Sequence, residues 1–275
     1  MIKNIIIFGS TGMLGNYIYN FFYKKQNYNV IKSEFFISEK NINNLEDYLL
    51  KYNINNETCI INCIGKIPQR KNINSSDKEY FLINSIFPYL LSNICQKYDT
   101  KMIQPTTDCV FSGKRGNYIE TDIHDETNNY GLSKSLGEPL NCTVIRTSII
   151  GLEKYNKKSF MEWVINSLKN KETIKGFSNH YWNGITCLEY CYLIENIIIN
   201  NNFWKGIQHI YSPTTKTKYE LTLIIAKVFD LDTNNIIPNE TENKVDKTLS
   251  STNIFPFKIK ELEEQIEELK FFNII

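Results

Sequence analysis

Residues 3–15 read Lys3-Asn4-Ile5-Ile6-Ile7-Phe8-Gly9-Ser10-Thr11-Gly12-Met13-Leu14-Gly15. An apolar run of strand length, without alternation, suits a strand buried on both faces, as in a parallel sheet. Glycines at 9, 12 and 15 then punctuate a turn. Residues 14–25 follow with Leu14, Ile18, Phe21 and Phe22 at helical spacing. A strand, a glycine turn and a helix in this order open a βα unit.

Each glycine has a distinct use. Gly9 permits the tight turn, Gly12 lets backbone approach a diphosphate, and Gly15 lets the helix lie close to the sheet. The helix N-terminus then faces negative charge. The spacing is GxxGxxG rather than GxGxxG, but its place directly after the first buried strand marks residues Gly9, Ser10, Thr11, Gly12, Met13, Leu14 and Gly15 as a dinucleotide-binding turn. The end of the second expected strand, 28–32, selects the nicotinamide form. Lys32 and Ser33 suit a 2′-phosphate, whereas Glu34 suits a free ribose diol. The lysine favours NADPH, with NADH as the alternative. Cys63, Ile64 and Gly65 end a further buried strand and are expected beside the cofactor. Lys66 and Arg70 just beyond are candidates for substrate phosphates.

The chain continues to alternate. Helices are expected at 42–51 and at 77–97, the latter bent at Pro88. Strands are expected around 59–64, 101–104 and 142–147. The second half is less regular, with helices at 158–169, 187–200, 219–229 and 258–270 and a strand at 207–211. The pattern predicts a doubly wound, Rossmann-like parallel α/β sheet with a smaller substrate-binding lobe. Residues 1–151 mainly form the NAD(P)-binding domain and 152–275 mainly the lobe, interleaved in sequence. The Asn-rich stretches 41–56 and 233–243 read as polar surface and loop.

Composition excludes other classes. In 275 residues, 31 basic and 30 acidic side chains leave a net charge of +1, so no global field draws nucleic acid. The opening apolar run is too short for a signal peptide, and no stretch reaches the roughly 18 apolar residues of a membrane span. A cytoplasmic protein is expected, with its seven cysteines as reduced thiols. Their spacings do not match zinc or redox motifs, only three histidines accompany them, and no carboxylate cluster demands a metal.

Tyr130 precedes Lys134 by four residues, and positions i and i+4 share one helix face. A phenol titrates near 10 in water, and an adjacent ammonium lowers that value, making it a proton donor to a carbonyl oxygen. Thr107, at the end of a preceding strand, can donate to the same oxygen. A Tyr-x-x-x-Lys match alone is weak. Its force comes from order: glycine turn, then threonine, then the Tyr–Lys helix.

The stretch Thr106-Thr107-Asp108-Cys109-Val110-Phe111-Ser112-Gly113 resembles the Ser-Thr-Asp-Tyr-Val-Phe segment of the extended short-chain dehydrogenase/reductases, specifically the dTDP-4-dehydrorhamnose reductase (RmlD-like) family. The resemblance covers about residues 3–151 firmly and the rest more loosely. It implies that Thr107, Tyr130 and Lys134 are catalytic, with Tyr130 and Lys134 also touching the cofactor, and that Thr107 and Asp108 face substrate. The family's helix asparagine falls on Asn84, a supporting or substrate-side residue, and Arg146 is expected to organise the sheet edge or the active-site loops. The loop 177–184 replaces the usual Gly-x-Pro-Thr element and offers His180, Trp182 and Asn183 as contacts to sugar or base. Cys109 stands where the family has tyrosine. The resemblance implies NAD(P)H-dependent reduction of the C4 ketone of a nucleotide-linked 4-keto-6-deoxysugar, dTDP- or UDP-linked, on the way to rhamnose or an N-acetyl-rhamnosamine-type sugar. It leaves open a homodimer, an epimerase or dehydratase of the same superfamily, and a non-catalytic dinucleotide-binding subunit. A dehydratase usually carries Asp-Glu after the threonine; Asp108-Cys109 argues against it.

Overall fold

Six strands form one wholly parallel sheet: β1 (Asn4–Phe8), β2 (Asn29–Lys32), β3 (Thr58–Asn62), β4 (Lys101–Thr106), β5 (Thr143–Arg146) and β10 (Gly206–His209). Their order across the sheet is β10-β5-β4-β3-β1-β2. The computed structural model describes residues 1–68 and 77–272. Alternate side chains of β1 feed opposite faces, as a pleated strand requires. Ile5 and Ile7 join the core on one face, while Ile6 and Phe8 join the core on the other. All four are fully buried, which explains the unalternating apolar run. The strand order reverses between β1 and β3, and ligands of such sheets bind at the carboxyl ends beside that reversal.

Helix α1 (Met13–Lys25) packs on the first face together with α7 (Cys187–Ile199). On the second face lie α2 (Leu45–Leu50) and α4 (Phe87–Lys97). Before Pro88, where a bend is expected, the helical run widens. α3 (Asp77–Phe81) runs into α4 through a π turn at Leu82–Ile86, in which the Phe87 amide bonds to the Leu82 carbonyl. A proline has no N–H for the carbonyl four residues back and collides with it. Widening the turn before Pro88 relieves that conflict.

The second half contributes α6 (Phe160–Lys169), α8 (Lys218–Val228) and α9 (Leu262–Phe271). It also holds β7 (Ile174–Phe177), β8 (His180–Trp182), β9 (Ile185–Thr186), β11 (Lys216–Thr217), β12 (Ile236–Asn239) and β13 (Val245–Asp246). β6 (Ile149–Ile150) pairs with β9, β12 with β7, and β8 with both β11 and β13. β12 corrects the loop expected at 233–243. Strands of two to four residues are too short to show a period. β10 crosses from this half into the main sheet, and Tyr118 of the first half bridges to Leu249 of the second.

Arg146, at the end of β5, is fully buried. Its Nε donates to Glu138 at 3.0 Å and one terminal nitrogen to the same carboxylate at 2.5 Å. The remaining donors reach Nε2 of His209 at 2.7 Å and Nε2 of His124 at 2.8 Å. His209 Nδ1 faces the carbonyls of Tyr118 and Ser250, so Nδ1 carries the proton and Nε2 accepts. This network ties the 118–124 loop and residue 250 to the sheet edge. Burial, and then the Arg146 charge, push both histidines below their ordinary value.

Both histidines are therefore neutral in the fold, while the unfolded chain takes up protons below about pH 6.5. Their contribution is fully present above that pH and is lost as pH falls through the lowered folded values. Calorimetry should show the melting temperature falling from about pH 7 towards about pH 5. Glu138→Gln should cost about 3–5 kcal/mol, because it leaves the buried guanidinium without its counter-charge.

Candidate active site

A cavity of about 890 Å³ opens at the carboxyl ends of β1, β3, β4 and β5, within the size range of small-molecule sites. One wall is the glycine turn. Gly9 has φ +74°, and a Cβ there would lie 2.8 Å from the Cys63 carbonyl carbon. At Gly15 a Cβ would lie 2.2 Å from the Gly9 carbonyl oxygen, so helix and turn meet backbone to backbone. Gly12 caps α1 without a side chain, and no acid stands in the first turn. The free N–H groups at this end attract anions. Gly12, Met13 and Leu14 line the cavity here, and Cys63, Ile64 and Gly65 line it after β3.

The opposite wall is built by α5 (Asn129–Ser135). The Asn128 side chain caps this helix, accepting from the Gly131 amide at 2.9 Å. A Cβ on Gly131 would lie 2.6 Å from the Cys109 carbonyl oxygen, so α5 rests directly on the short 3-10 turn Asp108–Val110 that follows Thr107. That contact brings Tyr130 to Thr107. The Thr107 hydroxyl accepts from the Cys109 amide and donates to Asp108, both at 3.1 Å. One turn on, the Lys134 ammonium lies over Gly65, 2.9 Å from where a Cβ would sit. Asn84, in the π turn, holds these parts together. Its oxygen accepts from the Lys66 amide at 2.8 Å, and its nitrogen donates to the Lys66 carbonyl and the Ser133 hydroxyl, both at 3.0 Å.

Electrostatics differ from the expectation of an acidified phenol. Burial pushes the Tyr130 hydroxyl above its ordinary value; Cys109 and Asp108 add to this and hydrogen bonding with Thr107 opposes it. Burial also pushes Lys134 down to about 8, against the pull of Glu138, Cys63 and Cys109. The desolvated ammonium does not reverse the effect of burial on the phenol. At neutral pH Tyr130 is a protonated donor and Lys134 still carries its charge.

Residues 3–253 match the family model described as the RmlD substrate binding domain. The chain belongs to this family. The dTDP-4-dehydrorhamnose reductase of Bacillus anthracis, solved in complex with NADP, superposes with TM-score 0.79 at 20% identity over 98% of both chains. A hypothetical dTDP-4-dehydrorhamnose reductase from Sulfolobus tokodaii gives TM-score 0.73 at 25% identity, over 91% of this chain and 93% of that one. The Yersinia enterocolitica dTDP-4-dehydrorhamnose reductase gives 0.78 at 19%, over 97% and 98%. No curated protein matches significantly.

A dinucleotide fits this RmlD-family cavity on three grounds. The glycine cradle leaves backbone room, the α1 N-terminus presents free donors, and two cavity-lining hydroxyls, Thr106 Oγ and Tyr190 Oη, have no hydrogen-bond partner among the described residues. Of the residues expected to hold it, Gly12, Met13, Leu14, Cys63, Ile64, Gly65, Tyr130 and Lys134 line the cavity.

Several expected contacts lie elsewhere. Asn84 is buried, and its amide bonds to Lys66 and Ser133. The Lys66 ammonium pairs with Glu79. Asn183 is buried, and its amide exchanges two hydrogen bonds with the Leu249 backbone. Trp182 is buried in the lobe, and His180 bonds to Thr241 at 2.9 Å. None of these five side chains lines the cavity. Lys32 lies exposed at the end of β2, its ammonium 3.8 Å from the Tyr19 ring centroid, and the Ser33 hydroxyl meets Tyr48. Arg70 falls outside the described residues. Sequence reading gave no role to Thr106 or Tyr190, which line the cavity, or to Lys218, which lies outside its lining. The Lys218 ammonium stands 4.7 Å from the Trp182 ring centroid and 5.1 Å from that of Phe160, and burial pushes it down to about 8. No pattern in the chain singles out Tyr190 or Lys218, whereas Thr106 opens the Thr106–Gly113 stretch.

Among the described residues no helix is long and apolar enough to cross a membrane, and no group of three His, Cys, Asp or Glu side chains is set to hold a metal ion.

The two alanine substitutions in the glycine turn should separate. Gly15→Ala should cost roughly 1–3 kcal/mol, because its Cβ meets backbone that cannot step aside. Gly12→Ala, whose Cβ finds only the Gly9 oxygen at 3.3 Å, should lower the melting temperature much less. Thermal denaturation of both variants checks this.

Proposed function

We propose that the chain is an NADPH-dependent reductase of the C4 ketone of a nucleotide-linked 4-keto-6-deoxysugar. The observation that carries this reading is the convergence of Thr107, Tyr130 and Lys134 on the cavity that the glycine turn lines. The reduced nicotinamide, when bound, supplies hydride. Tyr130 gives its proton to the carbonyl oxygen, and its raised pKa means that the proton is present to give at neutral pH. The Thr107 hydroxyl can turn from Asp108 to polarise the same oxygen. Lys134 stabilises the phenolate left behind, an interaction strengthened by the low-polarity surroundings. Gly65 leaves room for that ammonium, and Asn84 bonds to the neighbouring Ser133.

Lys32 at the end of β2 supports NADPH over NADH, and the relative from Bacillus anthracis was solved with NADP. Residues 177–184 give no ground for choosing among sugars or nucleotides, because His180, Trp182 and Asn183 do not line the cavity. Asp108-Cys109 remains the reason to prefer reduction to dehydration.

Incubating the protein with NADPH and a 4-keto sugar nucleotide should consume the reduced cofactor in proportion to alcohol formed. Tyr130→Phe should lower kcat roughly a hundredfold to ten-thousandfold, the usual worth of a positioned proton donor. Full turnover by this variant would remove Tyr130 from the chemistry. In the wild type, kcat/KM should fall as pH rises through about 8, because Lys134 then loses its charge. A flat profile to about pH 10 would count against Lys134.

A further inference from the structure

Tyr190 belongs to α7, a helix of the second half that lies outside the glycine turn and the Tyr–Lys helix. It is fully buried, yet it lines the main cavity. Its hydroxyl has no hydrogen-bond partner among the described residues. The side chain is embedded in apolar company, in the same core cluster as Leu14, Tyr17 and Ile150 with Cys63 against it. A buried hydroxyl without a partner loses its water and receives nothing in return. Phenylalanine would fill the same volume without that penalty. Such a group in a native core calls for an explanation, and a ligand in the adjoining cavity supplies one.

The direction of the bond follows from the surroundings. Burial, and then the thiols of Cys63, Cys191 and Cys187, push the phenol well above its ordinary value, so it stays O–H. The ligand must therefore offer an acceptor. The wall that Tyr190 shares belongs to the cofactor side: Met13 and Leu14 come from the first turn of α1, and Cys63 from the end of β3. A dinucleotide presents phosphate, ribose and carboxamide oxygens.

We propose that the Tyr190 hydroxyl donates a hydrogen bond to an acceptor oxygen of the dinucleotide, making α7 part of the cofactor site. The inference rests on the dinucleotide reading of this cavity. It adds a contact from outside the glycine turn and the Tyr–Lys helix.

The test is Tyr190→Phe, read by binding and melting rather than turnover. The probes are whichever of NADPH and NADH the wild type binds more tightly, and the nicotinamide-free counterpart, ADP-ribose with or without its 2′-phosphate. Without ligand, the variant should melt at the same temperature as the wild type or higher. Its affinity for the dinucleotide should fall roughly three- to tenfold, the usual worth of one hydrogen bond, and the rise in melting temperature on binding should shrink. A loss seen with both probes assigns the acceptor to the diphosphate–ribose part, and a loss with the dinucleotide alone assigns it to the nicotinamide half. Unchanged affinity for both probes overturns the proposal, since an ordered water then satisfies the hydroxyl. A lower melting temperature of the ligand-free variant also overturns it, since the hydroxyl then has a partner within the protein. Wild-type protein that bound neither dinucleotide would instead remove the reading on which the proposal rests.

Discussion

Helix α5 carries both Tyr130 and Lys134, and its place is fixed by two approaches too close for any side chain. A Cβ on Gly131 would collide with the Cys109 carbonyl, and one on Gly137, just past the helix, would lie 1.7 Å from the Asn84 carbonyl oxygen. The first contact sets the phenol beside Thr107. The second presses the end of the helix onto the π turn. Pro88 helps to produce that turn, because it cannot supply an N–H to the Asn84 carbonyl. A proline in one helix and a glycine after another thus cooperate in aiming two side chains at one small volume. The same logic recurs at Gly9 and Gly15, where the cofactor side of the cavity is shaped by backbone meeting backbone.

Burial acts on the two members of the Tyr–Lys pair in opposite directions. It disfavours the phenolate and the ammonium alike, raising one pKa and lowering the other. The pair is thereby kept in its donor form: a neutral phenol beside a cation that keeps its charge at neutral pH. Negative charge arising on Tyr130 as its proton leaves would meet that cation in low-polarity surroundings, where attraction is strongest. Arg146 shows the alternative treatment of a buried charge. Its guanidinium is answered by Glu138, and its remaining donors are taken by two neutral histidines.

The sheet was legible because β1, β3 and β4 run for five or six residues and β1 is buried on both faces. The glycine turn and the Tyr-x-x-x-Lys pair were legible because each is local in sequence. What escaped reading was set by tertiary contact. Asn84 looked like a possible substrate residue, but which groups an amide bonds depends on the loop brought to it. His180, Trp182 and Asn183 lie in a polar-aromatic loop that reads as a binding surface, yet β8, β13 and the Leu249 backbone absorb them. Tyr190 reads as one more apolar residue of a buried helix, and only its orphaned hydroxyl distinguishes it. The direction of the Tyr130 shift was likewise invisible, since spacing reveals the neighbouring lysine but not the depth at which both are buried.

The central claim is that Tyr130 and its neighbours serve reduction of a carbonyl, and isotope transfer tests it most directly. A 4-keto sugar nucleotide would be converted with NADPH deuterated at the transferable position of the nicotinamide, and the product analysed by mass spectrometry. The account predicts one deuterium on the former carbonyl carbon and an equal amount of oxidised cofactor. An unlabelled product, epimerised or dehydrated while the cofactor stayed reduced, would contradict it.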